Sequence, residues 1–192
     1  MKSLIKPNPG DLFYIPAIGI LNQEGFVIAR YIELIKPNLG HLIEVFDHFY
    51  TEPPKDISDV KTTERLFRPI FCSMRFADIP RWKKLFSDPD YDKSESGYEQ
   101  ISFAFGQNIW IGGETKMATP EQLVNIEPSI CWRMSHIIFR VMAHLKGSLS
   151  KDEVMDYHKL PVEYRVDDDG AIKTVHEIAE HMHNQFTVWG KM

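Results

Sequence analysis

With 192 residues, 43% of them hydrophobic and 26% charged, the chain has an ordinary soluble composition and enough length for one sizeable core. Its 22 basic against 27 acidic residues leave a formal charge of −5, which argues against a nucleic-acid partner, since phosphate contacts need a basic face, and suits a basic partner better. No apolar run approaches the ~20 residues of a membrane span, and Pro7, Asn8 and Pro9 interrupt the start before signal-peptide length, so the expected location is the cytoplasm, with no membrane partner.

The chain opens on three runs of β-branched and aromatic residues, Pro9 to Pro16, Gly25 to Ile32 and His41 to Phe46. Turn formers cut them (Gly19, Asn22, then Pro37 to Gly40), and the pattern predicts an antiparallel meander. Asp47 to Lys61, with Pro53-Pro54, reads as a polar loop. Arg65 to Phe76 looks extended, with Pro69 at an edge, a bulge or the start of the strand proper. Pro80 to Phe86 suggests a short helix, and Ser87 to Gly97 an exposed acidic loop holding Asp88, Asp90, Asp92 and Glu95 against Lys93.

Ile101 to Phe105 and Asn108 to Gly112 flank Gly106-Gln107 as a hairpin would. Thr119-Pro120-Glu121 has the capping residue, proline and acid of a helix start. From Cys131 the apolar residues fall at Met134, Ile137, Ile138, Val141, Met142 and Leu145, the period of an amphipathic helix from Ser129 to Leu145, closed by Lys146-Gly147. Ser150 to Glu153 begins a second helix ending before Pro161; Val162 to Val166 alternates as a strand, Asp167 to Gly170 turns, and Thr174 to Phe186 reads as a last helix. The expectation is an α+β fold: a curled antiparallel sheet, with an SH3-like start as one form of the curl, braced by the long helix. Residues 1–147 form the main domain and 148–192 a helix-strand-helix decoration on the same core.

No catalytic constellation has diagnostic spacing. His176-Glu177-Ile178-Ala179-Glu180-His181-Met182-His183 invites a metal reading, yet Glu stands at 180 where a zinc-hydrolase helix needs His, and Ala at 179 where the inverse motif needs Glu. The consecutive acids at 167 to 169 do not alternate as calcium ligands do, and Gly112-Gly113 lacks the rest of a phosphate loop, so it reads as tight turning. Ser73 with His41, His48, His136, His144 and His158 has no supporting spacing, and His136 and His144 read as solvent-facing or hydrogen-bonded. Cys72 and Cys131 sit among apolar neighbours, as buried reduced thiols do; Trp82, Trp110 and Trp132 read as packing residues.

Three of these stretches, Gly10-Asp11-Leu12-Phe13-Tyr14-Ile15-Pro16, Gly25-Phe26-Val27-Ile28-Ala29-Arg30-Tyr31 and Asn108-Ile109-Trp110-Ile111-Gly112-Gly113-Glu114, resemble the bacterial immunity protein 26 family, over about residues 8–125. The resemblance implies a cytoplasmic α+β protein that binds a cognate toxin and so protects its producer, with no catalysis and no cofactor. The acids from Asp88 to Glu95 and the segment after Gly147 depart from the family pattern. Acidic loops can block the basic active sites of nucleic-acid-cleaving toxins, so the expected partner surface is Asp88, Asp90, Asp92 and Glu95, with Asp47 and Glu52 on the earlier loop and Tyr91 and Tyr98 as aromatic anchors. Two alternatives are a metal-dependent hydrolase using His176, Glu177, Glu180 and His181 and a regulatory module that binds a small ligand on the sheet.

Overall fold

The computed structural model describes residues 7–36, 39–74, 84–155 and Glu177. The opening meander forms as its residue pattern predicts: β1 (Asp11–Ile18), β2 (Glu24–Ile35) and β3 (Gly40–Val45) pair antiparallel in sequence order. The turn between β1 and β2 closes where Gly19 N–H donates to Gln23 O at 2.9 Å, with Asn22 in the left-handed region at φ 58°. β4 (Ile70–Cys72) joins beyond β3, and Pro69 immediately precedes it, where a residue lacking an N–H costs the ladder nothing. Only three residues of the extended stretch 65–76 become this strand; Arg65 makes a separate bridge to Phe46, and residues 75 and 76 lie outside the described residues.

Two elements differ from expectation. Lys84 to Phe86, expected at the end of a short helix, belong to a strand, β5 (Lys84–Ser87), which pairs with β1 at the sheet edge with Leu85 and Phe86 half-buried. The long helix starts later: Cys131–Trp132 is a strand, here β9, running parallel to β4, and α1 spans Met134–Leu145. The six-stranded sheet therefore has the order β5-β1-β2-β3-β4-β9, mixed by that single parallel pair, and it stays open.

A second sheet is the meander β6 (Ser102–Phe105), β7 (Asn108–Ile111) and β8 (Glu114–Met117). The expected hairpin supplies β6 and β7, Gly112 and Gly113 make the tight turn at φ 55° and 97°, and β8 is an addition, exposed along its whole length. The architecture is α+β. Thr119 and Gln122 do form a reciprocal cap, but it closes one 3-10 turn (Glu121–Leu123) rather than a longer helix. Ser150 and Glu153 likewise close a turn, and the remainder of that helix, the strand 162–166, the acid turn and the last helix lie outside the described residues, as does most of the 148–192 decoration.

Strand alternation divides the buried residues between two cores. Ile43, Ile70, Cys72 and Trp132 face the core that α1 covers with Met134, Ile137, Ile138, Val141 and Met142. Leu42 and Phe71, one position along, face a smaller core closed by Tyr98, Ile101, Phe103 and Trp110 from the second sheet and the turn before it. Trp110 and Trp132 are thus packing residues, one in each core; Trp82 lies outside the described residues. Neither Cys72 nor Cys131 is in a disulfide. Cys72 is buried, and that burial pushes its thiol up to about 12, whereas Cys131 is exposed, contrary to its apolar sequence neighbours, because the two-residue β9 turns it away from Trp132. His144 is buried beneath Phe67 rather than solvent-facing, with ring centroids 4.9 Å apart.

Candidate interaction surface

The acidic loop is built, not merely solvated. Asp92 accepts from Ser94 N–H at 2.8 Å while Glu95 accepts from Asp92 N–H at 3.2 Å, a reciprocal cap on the 3-10 turn Lys93–Ser96, and Gly97 ends it in the left-handed region at φ 52°. Upstream, Asp88 accepts from Asp90 N–H at 3.2 Å. Hydrogen bonds from Ser94 hold the Asp92 carboxyl below the usual carboxylate range, so it stays charged in mild acid. The start of β1 seats against this loop so closely that a Cβ on Gly10 would lie 2.4 Å from Asp88 O.

Beneath the loop lies a charge network supplied by the strands. Arg30 of β2 and Glu44 of β3 are directly opposite in register. Glu44 is only 3% exposed and accepts from Arg65 Nε at 2.7 Å and from Ser96 Oγ at 2.6 Å, with Arg30 Nε 3.7 Å away. Because Ser96 gives its one hydroxyl hydrogen to Glu44, the Tyr91 hydroxyl 2.6 Å away must be the donor to Ser96. Arg65 also donates to Ser96 O. The Arg30 guanidinium lies 4.7 Å from the Tyr91 ring centre and 5.3 Å from that of Phe46, and its Nη1 reaches Glu95 at 3.4 Å. Burial pushes the Tyr91 phenol up, which keeps it a donor.

Asp88, Asp90, Tyr91, Asp92 and Glu95 therefore share one structured loop, in two roles. Asp90 and Asp92 are exposed and Asp88 half-exposed, whereas Tyr91 is half-buried against Arg30, and Glu95, 49% exposed, is tied to the same arginine. Tyr98 is placed differently: 5% exposed, it stands edge-on to Trp110 in the smaller core with Lys93 Nζ 4.0 Å over its ring, so it offers no free anchor. Asp47 is exposed and binds Lys151 at 2.7 Å, a lysine that also reaches Glu64 at 2.8 Å; Glu52 stands exposed in the loop after β3. Arg30, Glu44, Arg65 and Ser96 belong to no catalytic or metal-binding motif in the sequence. For Arg30 and Glu44 the available signal was a charge of each sign inside otherwise apolar strand runs; Arg65 and Ser96 had none.

The network forms the back of a cleft of about 570 Å³ whose walls include Thr63, Arg65, Arg68, Glu95, Gln100 and Ser102. A second concavity of about 400 Å³ brings His41, Ser73, Cys131 and Arg133 together, but the His41 ring is engaged by the Tyr31 hydroxyl at 3.2 Å, and among the described residues no carboxylate lines this concavity. Among the described residues no three His, Cys, Asp or Glu side chains are grouped to hold a metal ion. Of the proposed metal residues only Glu177 is described, exposed and helical; His176, Glu180, His181 and His183 lie outside the described residues. Among the described residues no helix is long and apolar enough to cross a membrane. Compared with family models, curated proteins and solved structures, the chain gives no match.

Proposed function

We propose that this chain is a cytoplasmic immunity protein that binds a cognate bacterial toxin and neutralises it by steric and electrostatic occlusion, without catalysis. The observation that carries this reading is the division of labour in the loop 88–97: Glu95, Ser96 and Tyr91 bond inward to Arg30, Glu44 and Arg65, while Asp90 and Asp92 remain exposed on the resulting rigid turn. A preformed acidic surface loses little conformational entropy on docking and complements a basic partner such as a nucleic-acid-cleaving toxin. The net charge of −5 and the family resemblance of the strand motifs support the same reading.

Co-expression with the product of the adjacent gene tests it. The reading expects that product to arrest growth alone, this chain to restore growth, and the two to purify as a stoichiometric complex. A neighbour that is harmless, or that is toxic but neither bound nor neutralised, overturns it.

A further inference from the structure

We propose that the cleft between the six-stranded sheet and the acidic loop is a binding site for a small oxyanion, a phosphate or carboxylate group on a small molecule, held by Arg68 and Arg65. It is independent of the toxin-binding reading, which uses the exposed tip of the loop.

Charge carries the argument first. The cleft wall holds Arg65 and Arg68 with Glu44 and Glu95, and the buried Arg30, which does not line the cleft, pairs with both glutamates, so the cluster as a whole holds three cations and two anions in a chain that is otherwise acidic. Both glutamates are already occupied, Glu44 by Arg65, Ser96 and Arg30 and Glu95 by Arg30. The arginines are not. A guanidinium has five N–H donors; Arg65 uses Nε and Nη2, and Arg68 uses Nη1 on Asn125 O, so Arg65 Nη1 and Arg68 Nε and Nη2 meet no protein acceptor among the described residues. The Arg65 guanidinium is held by the buried Glu44 carboxylate, and that of Arg68 donates to a carbonyl that Asn125 presents from the left-handed region at φ 60°.

Guanidiniums with spare donors are suited to the paired oxygens of phosphate and carboxylate. Thr62, Thr63 and Ser102 add hydroxyls to the same wall, and Pro69 and Ile101 supply an apolar floor for the rest of the ligand. At about 570 Å³ the cleft falls within the range that admits small organic molecules.

The test is a thermal-shift and calorimetric titration of the full chain with inorganic phosphate, pyrophosphate and citrate, each against sodium chloride of matched ionic strength. The expected result is a saturable rise in Tm with at least one of the three, weakened at least about tenfold in Arg68→Ala relative to that variant's own unliganded Tm and partly kept in Arg68→Lys. Arg133→Ala, at the other concavity, should bind as the parent does. Phosphate and pyrophosphate against citrate decide which oxyanion the site prefers. Thr63→Val, a gentler change on the same wall, should also weaken binding and serves if Arg68→Ala does not fold. No saturable shift beyond chloride with any of the three, or undiminished shifts in the Arg68 and Thr63 variants, would overturn the proposal.

Discussion

Glu44 concentrates the structural logic in one side chain. Its carboxylate is buried, yet it joins β2 through Arg30, the bridge after β3 through Arg65 and the acidic loop through Ser96. Replacing it with Ala leaves the buried Arg30 guanidinium with only the half-exposed Glu95 as counter-charge, takes the carboxylate from Arg65 and frees the Ser96 hydroxyl, and breaking a buried pair from one side typically costs about 3–5 kcal/mol. Urea unfolding of Glu44→Ala should show a loss of that size, whereas Glu95→Gln, at a half-exposed carboxylate, should cost no more than about 1 kcal/mol. At this scale the acids at 88, 90, 92 and 95 were legible as a charge run because all four fall within eight residues, with Lys93 the one cation among them. Arg30 and Glu44 were not, since only pairing in register, between residues fourteen apart, makes them one feature. Tyr98 misled for the converse reason: its loop neighbours are polar, but its ring enters the second core.

At the scale of elements, α1 carries a buried titrating unit. Arg140 is fully buried, donates to Glu127 and lies 4.5 Å from the Phe67 ring centre and 4.8 Å from that of Trp132; His144, one turn on, packs on the same Phe67. Burial, reinforced by the Arg140 charge, lowers the His144 imidazole to about 4. The unfolded chain takes up this proton near pH 6.5 and the folded one only near 4, so stability is full above the first value and falls as pH drops towards the second, by about 1–3 kcal/mol. The half-buried His41, also lowered by burial, adds a loss of the same sign. Unfolding free energies measured between pH 7 and pH 4 should therefore fall, and His144→Phe should reduce that slope; an unchanged slope would contradict the buried placement.

Elements with a clean period were readable. The meander β1 to β3 was legible from β-branched runs between turn formers, and the α1 stripe from Met134 onward is the one the apolar spacing predicts. The elements that differ are short and lack a turn signal or an apolar side to mark them. Two residues of β9 cannot announce a period, so in sequence Cys131 and Trp132 read as part of the helix that follows; β5 has four residues, and fully exposed β8 has no apolar side to alternate.

At the scale of the molecule, the described residues form a wide mixed sheet with a helix core on one side and a small three-stranded sheet closing a second core, and the acidic loop is clamped where β1, β2 and β3 can all hold it. On the proposed reading, Tyr91 and Glu95 anchor the surface and Asp88, Asp90 and Asp92 meet the partner. Electrostatic steering depends on those exposed charges and on salt, whereas the clamp that sets the loop's shape lies below them. The most direct test is the rate at which the Asp90→Lys/Asp92→Lys variant associates with the purified toxin, compared with the parent from low to high salt. The account predicts association at least about tenfold slower at low ionic strength, converging as salt screens the charges. Equal rates with equal salt dependence would contradict it.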